Sequence, residues 1–280
     1  MMDYVYLLRC ADGTLYGGWT NRLSRRLAAH NGGKAGAKYT RARRPVTLAY
    51  CEAYATRGEA MRAEAALKKL PRAEKQRLAD AVARSGGEFL TVLDEKRSAC
   101  GDLPRALVHR CGLLHRVAHL HVFETRDGAP GVWLQQRSMD KKTAPGLYDW
   151  AATGHVSAGE PPVDAVLREA REECGLALFP ADLRPAGEQR VCTVYAPDFV
   201  DDELAASFAY FAPAAPAFTP GPEVQRMVWA DCRALARTLA GGEPLPVTGR
   251  DGQADTLAPG LLSRGVREWR QVCRALGIKI

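Results

Sequence analysis

Along the first third of the chain the apolar residues fall into short, alternating groups. "DYVYLLRC" and "TLYGGWT" are two β-prone runs joined by Ala11-Asp12-Gly13, and Asp-Gly between such runs is a strong hairpin signal. In "NRLSRRLAAHN", Leu23 and Leu27 stand at i, i+4 behind Asn21, a suitable N-cap, which predicts a helix. "KAGAKYTRARRP" reads as a basic, glycine-bearing loop ended by Pro45. "VTLAYCEAY" returns to a strand, "RGEAMRAEAALKKL" is a strong helix former, and another helix runs from about Arg72 to Arg84. The pattern breaks at Ser85-Gly86-Gly87.

A second segment follows, opening with "EFLTVLDEKRSACGDLPRALVHRCGLLHR". "VAHLHVFE", "GVWLQQRS", "RVCTVY", "LAASFAYFAP" and "VQRMVWAD" are strand candidates, and a helix is expected ahead of Gly175. "APAAPAFTPGPE" and "GGEPLPVTG" read as loops. A last helix, roughly Leu261 to Leu276, gathers Leu262, Val266, Trp269 and Cys273 on one face, as core packing would require. No internal repeat is visible. The pattern predicts an α/β two-domain protein: a small domain over 1–84, a linker over 85–91 and a larger domain over 92–280.

Composition supports this picture. The 280 residues are 46% hydrophobic and 25% charged, the balance of an ordinary globular chain. No run of 18 apolar residues occurs, so no membrane span is expected. The start lacks a basic stretch followed by an apolar block, so no signal peptide is expected either. The eight cysteines include no CxxC pair, which argues against a zinc site or disulfide framework and for a reducing, cytoplasmic setting. Charge does change the picture. Residues 1–87 hold 17 Lys+Arg against 7 Asp+Glu, and the remainder 22 against 25. So basic a first third suggests a polyanionic partner there.

The expected helix before Gly175 carries the most distinctive chemistry. In "GHVSAGEPPVDAVLREAREECGL", Pro161, Pro162 and Asp164 suit a first turn and Gly175 an end. At about 3.6 residues per turn, Glu169, Glu172 and Glu173 share one face. Like charges so placed repel unless neutralised, and carboxylate oxygens are the ligands that Mg²⁺ or Mn²⁺ prefers. A cation there would hold a diphosphate and activate water for attack on phosphorus. A solvated acidic face is the commoner use of such a pattern, and spacing decides between the two. The stretch follows Gly-x5-Glu-x7-Arg-Glu-aliphatic-x-Glu-Glu-x-Gly-aliphatic at Gly154, Glu160, Arg168, Glu169, Glu172, Glu173, Gly175 and Leu176, with Ala170 in place of a bulky aliphatic. Seven fixed positions at about one in fifteen each make a chance match about one in a hundred million per window. The segment resembles the Nudix hydrolase family. The resemblance implies an α/β/α sandwich with a mixed sheet, in which Glu169, Glu172 and Glu173 serve metal ions, joined by the carbonyl of Gly154. Arg168 would orient a glutamate and Glu160 steady the loop.

The resemblance continues over about 88–280. "LLHRVAHLHVFE", "LQQRSMDKKTAPGLYDW" and "TGHVSAGE" look like the Nudix subgroup that includes isopentenyl-diphosphate isomerases. Those isomerases place a cysteine two residues before a metal-binding histidine. Here His155 is present but Thr153 holds the cysteine's place, which favours hydrolysis over isomerisation. Arg137, Lys141 and Lys142 flank the expected mouth of the site and are candidates to meet substrate phosphates, with solvated loop charge as the other reading. His109, His115, His119 and His121 read singly as packed or surface histidines.

In the first domain, "YVYLLRC", "LYGGWTNRLSRRLAAHN", "GAKYTRARRP" and "EAMRAEAALKKL" resemble the GIY-YIG nuclease family over about residues 2–83. The two signatures are reduced to Val5-Tyr6-Leu7 and Tyr16-Gly17-Gly18. The resemblance implies that Tyr6 and Tyr16 lie side by side on the hairpin, one of them near the attacking water. Arg26 would bind the phosphate, with His30 one turn on, and Glu64 would be the single metal-binding carboxylate. Lys38, Arg41, Arg43 and Arg44 would track a DNA backbone. The expectation is a Mg²⁺- or Mn²⁺-dependent pyrophosphohydrolase for nucleoside-diphosphate-linked substrates, fused to an endonuclease-like domain. The alternative is prenyl-diphosphate hydrolysis or isomerisation behind a domain that only binds nucleic acid.

Overall fold

The hairpin forms as expected: β1 (Asp3–Cys10) and β2 (Leu15–Thr20) pair antiparallel with Tyr6 opposite Gly18, in a computed structural model that describes residues 2–32, 35–196 and 198–280. After α1 (Leu23–Gly32) the basic segment is not all loop. It contains a one-turn helix, α2 (Lys38–Arg41), closed by the Thr40 hydroxyl donating to the Ala37 carbonyl at 3.0 Å. Then come β3 (Val46–Tyr54), α3 (Arg57–Lys69) and α4 (Arg72–Ala83). A reciprocal Thr56–Glu59 capping box starts α3. The three strands form a sheet in the order β2-β1-β3.

The chain divides into two compact units. One comprises Met1–Arg116, Val156–Gly159 and Arg190–Leu204, and the other Val117–His155, Glu160–Gln189 and Ala205–Ile280. In the first, the period-two alternation of β1 sends Val5 and Leu7 against Ala60 and Leu67 of α3. Tyr6 and Leu8 point the other way, into a core with Leu23, Leu27, Val46 and Leu48. That core also takes in Leu90, Val92, Leu103 and Val108, from β4 (Phe89–Leu93), β5 (Ala99–Pro104) and α5 (Arg105–Arg110). Residues on both sides of the Ser85-Gly86-Gly87 break therefore share one apolar interior. Gly101 is needed there, because a Cβ on it would lie 2.6 Å from the Leu48 carbonyl oxygen.

The chain continues through β6 (His115–Arg126), β7 (Ala129–Arg137), β8 (Tyr148–Trp150), β9 (Ala152–His155) and α6 (Pro162–Cys174). After them come β10 (Leu183–Ala196), β11 (Phe199–Phe211), β12 (Val224–Asp231) and α7 (Cys232–Gly241). β13 (Leu245–Gly249), β14 (Ala254–Leu257) and α8 (Val266–Leu276) complete it. In the second unit the strand path runs β6-β7-β12-β13-β14, with β8 on β7 and β9 on β6. Phe123, Trp150 and Trp269 stack at its core. Two expectations change. "GGEPLPVTG" holds β13, because Leu245 and Val247 face the core while the prolines stand at solvated positions. The last helix starts at Val266, after a short 3₁₀ turn at Pro259–Leu261. Among the described residues no helix is long and apolar enough to cross a membrane.

Candidate active sites

In the first unit the β1–β2 register and one face of α1 assemble the aromatic site. A Cβ on Gly18 would lie 2.6 Å from Tyr6 Oη, so glycine leaves the room that the Tyr6 ring fills. Arg26 and His30 stand at i, i+4 on α1 and both reach that hydroxyl. Arg26 Nε donates to it at 3.2 Å, and His30 Nε2 lies 3.1 Å away. His30 Nδ1 is 2.8 Å from Thr40 Oγ1. Burial pushes the Tyr6 phenol up to about 12. Burial, and then the charges of Arg26 and Arg44, push His30 down to about 4, so its ring is neutral at ordinary pH. The Tyr16 ring lies 5.3 Å from that of His30 and stacks on Tyr39, which Arg43 covers at 4.1 Å. Glu64, on α3, pairs with Lys68 at 2.7 Å, and its charge is felt at Tyr6.

The basic residues divide. Lys38 and Arg41 are exposed on α2. Arg43 is held by Asp12 of the hairpin turn at 2.9 Å, and Arg44 donates to the carbonyls of His30 and Ala29 at the end of α1. Neither Thr40 nor Asp12 was legible as part of this site. Their contacts join residues far apart in sequence, and a threonine in a basic run carries no signal of its own.

In the second unit α6 starts with Pro162 and ends at Gly175, whose φ of 69° suits the left-handed C-cap. The helix packs its carboxylate face against β9. A Cβ on Gly154 would lie 1.9 Å from Glu169 Oε1, so glycine at that position admits the carboxylate. Arg168 donates to both oxygens of Glu160 at 3.2 Å, to Glu169 at 2.6 Å and to the His155 carbonyl at 3.0 Å. Glu173 is 3% exposed, and its Oε2 accepts from the Thr153 N–H at 2.8 Å and from Gln135 Nε2 at 2.7 Å. Burial raises the Glu173 carboxyl to about 7, against those two hydrogen bonds, and burial likewise raises Glu169. The Glu172 side chain is 60% exposed.

Lys141 reaches this face, with its Nζ 3.9 Å from Glu173 Oε1 and paired with Glu223. Arg137 is buried, donates to the Thr143 carbonyl at 3.2 Å and lies 3.6 Å from Asp149, which Arg264 also holds at 2.7 Å. Lys142 is exposed. The structure thus gathers Gly154, Arg168, Glu169, Glu172, Glu173 and Lys141, and it adds Gln135 and Glu223, which periodicity marked only as a strand and a loop.

A third cluster lies in the first unit. His109 and His115 approach Asp201 Oδ1 at 3.5 and 3.4 Å. Ligand atoms of these three residues fall within 4.8 Å of one another, as metal ligands would. Burial alone would raise the Asp201 carboxyl, but the two histidines beside it hold it well below the usual range. Read singly, neither histidine gave a reason to expect this, because Asp201 lies on a distant strand.

Residues 2–77 match the GIY-YIG catalytic domain and residues 114–247 the NUDIX domain. A UPF0213 protein from Bacillus licheniformis is 51% identical over 86 residues, covering 31% of this chain and 88% of the relative. Another, from Halobacterium salinarum, is 51% identical over 77 residues, 28% of this chain and 99% of that one. The crystal structure of DR0079 from Deinococcus radiodurans aligns at 24% identity with a TM-score of 0.42, covering 56% of this chain and 91% of that one.

Proposed function

This chain belongs to the GIY-YIG family through residues 2–77 and carries a Nudix hydrolase domain over residues 114–247, and from that premise we propose that it joins a nucleoside-diphosphate-linked pyrophosphohydrolase to a DNA endonuclease. The functional boundary falls across 85–91, and both activities serve the cytoplasm. The observation that carries the hydrolase reading is charge. Glu169, Glu172 and Glu173 crowd one helix face, two of them raised by burial, with one guanidinium shared between Glu160, Glu169 and Glu172. Such a hard-oxygen donor set fits Mg²⁺ or Mn²⁺. Glu169, Glu172 and Glu173 would hold it, with the Gly154 carbonyl beside them. The ion would supply Lewis-acid polarisation of the diphosphate and a more acidic bound water.

The chain's own residues do the rest. Arg168 fixes Glu169 and the Gly154–Glu160 loop, and Thr153 and Gln135 fix Glu173. Lys141, within reach of this face, meets substrate phosphate, Lys142 acts at its edge, and Arg137, turned onto Thr143 and Asp149, holds the loop that carries them. In the first domain Tyr6, Tyr16, Arg26 and His30 surround the attacking water and the scissile phosphate, with Glu64 as the cation's ligand. Lys38 and Arg41 meet the DNA backbone, and Arg43 and Arg44 shape the loop that carries them.

The test is phosphate release from nucleoside di- and triphosphates, dinucleotides, nucleotide sugars and prenyl diphosphates with Mg²⁺, beside a Glu172→Gln control. Release from one class, lost in the control, supports the reading, and silence across the panel sinks it. A second reading, action on prenyl diphosphates, is favoured by the His109–His115–Asp201 cluster, whose ligand atoms lie close enough together to hold a cation. Release confined to prenyl diphosphates and lost in a His115→Ala chain would select it.

A further inference from the structure

The ends of a hydrogen-bond chain fix its direction, and the Tyr6 site contains a chain whose two ends agree. At one end is the Ala37 carbonyl, which can only accept. The Thr40 hydroxyl has one proton and donates it there at 3.0 Å. Toward His30 Nδ1, at 2.8 Å, Thr40 can therefore only accept, so Nδ1 carries the imidazole proton. In a neutral ring Nε2 is then a bare acceptor, and the Tyr6 hydroxyl 3.1 Å away must donate to it. At the other end the Arg26 guanidinium, which can only donate, gives its Nε–H to Tyr6 Oη. Tyr6, His30 and Thr40 are all 0% exposed, so in the resting chain no solvent competes for these bonds.

We propose that Thr40 is a positioning residue of this site: it fixes His30 as the Nδ1–H tautomer and so makes Nε2 the acceptor for the Tyr6 proton. Because burial keeps His30 neutral through ordinary pH, the ring has two tautomers to choose from, and Thr40 decides between them. With the other tautomer an Nε2–H would aim at Tyr6 Oη, which would then face two donors and have no group to receive its proton.

The inference rests on the nuclease reading of this site, and the step it serves balances. The water oxygen, admitted to Tyr6 Oη as the substrate binds, forms the new P–O bond and gives a proton to Tyr6 Oη as the original Tyr6 proton passes to His30 Nε2. The scissile P–O bond breaks with its electron pair on the leaving oxygen, which takes a proton from solvent. His30 then returns its proton through Tyr6 Oη to solvent as the product leaves.

The experiment is long-range ¹H–¹⁵N spectroscopy of the imidazoles in the full ¹⁵N-labelled chain, with His30 assigned by its loss in a His30→Gln chain. Cleavage kinetics on single-stranded, duplex and branched DNA with Mg²⁺ run beside it, with Tyr6→Phe as control. The wild type should show a protonated Nδ1 and a bare Nε2. Thr40→Val, which keeps the shape and removes the hydroxyl, should lose that preference and lower kcat about a hundredfold at unchanged KM. Thr40→Ser should restore both. An Nε2–H tautomer in the wild type overturns the proposal, as does a Thr40→Val chain with wild-type tautomer and rate. Should that variant not fold, the wild-type spectrum and the Thr40→Ser chain still decide. An Nδ1–H tautomer in a wild-type chain that cleaves no DNA would sink the nuclease reading itself, and the use of Thr40 with it.

Discussion

Tyr6 and Glu173 are both almost sealed from water, and burial raises the affinity of each for its proton, Tyr6 to about 12 and Glu173 to about 7. The consequences are opposite. The Tyr6 phenol rests in its neutral form inside a closed run of hydrogen bonds from Arg26 to Ala37. Its polar atoms satisfy one another, so this run of bonds is complete in the protein alone. The Glu173 carboxylate is wanted in its charged form, and two neutral donors with Lys141 at 3.9 Å do not offset the loss of water. That site is electrostatically incomplete, and a cation would complete it. One chain thus holds a site built to be self-sufficient and a site built to be filled.

The comparison breaks most visibly at Glu169. Replacing it with Gln removes a charge from the incomplete site and should lower diphosphate hydrolysis about a thousandfold, roughly 4 kcal/mol of transition-state stabilisation. DNA cleavage, measured on the same preparation, should stay at the wild-type rate. Equal loss of both activities would show that the two sites are not separate machines.

Next in size is a pH effect on the cation-free chain. Between its ordinary value of 4.5 and about 7, folded Glu173 binds a proton that the unfolded chain has released. Stability therefore is greatest below that window and falls as pH rises through it, by up to about 3 kcal/mol. Denaturant unfolding in EDTA at pH 5 and pH 8 measures the fall, and Glu173→Gln should flatten it. Saturating Mg²⁺ should restore stability at pH 8. A slope that survives in the Gln chain would assign the effect elsewhere.

At the self-sufficient site the corresponding lever is shape. Gly18→Ala would place a Cβ within 2.6 Å of a buried Tyr6 hydroxyl that has nowhere to move. Overpacking of this kind costs about 2 kcal/mol. Urea unfolding should show that loss, DNA cleavage should fall with it, and diphosphate hydrolysis should not change.

The elements and the charged face of the second site were legible because they depend on local spacing. Period-two runs marked β1, β3, β6 and β7, and the i, i+3, i+4 glutamates marked α6. What stayed hidden depends on contacts between distant residues. Gln135 and Asp201 stand in strands where any polar residue would satisfy the pattern, and only pairing brings one to Glu173 and the other to His109 and His115. β13 was read as a loop because Pro246 and the preceding glycines outweighed two core-facing residues. Regular structure does stop at Ser85-Gly86-Gly87, yet the apolar residues that follow it pack with Tyr6 and Leu8, which no local signal announces.

The smallest expected effects separate the four basic residues grouped by the sequence. Lys38 and Arg41 reach solvent, whereas Arg44 is turned onto the carbonyls that end α1. Exposed cations that meet phosphates release counterions, so Lys38→Ala and Arg41→Ala should each weaken DNA binding and reduce the slope of log affinity against log salt by about 1. Thermal stability should hardly move. Arg44→Ala should behave in reverse, lowering stability by about 0.5–1 kcal/mol through lost interaction with the negative end of the helix, with the salt slope intact. Salt titration of DNA binding beside urea unfolding of the three chains reads both quantities. If Arg44 changed the slope as Lys38 does, its guanidinium would have to leave the helix end for the DNA, and the self-sufficiency ascribed to the first site would not extend to its rim.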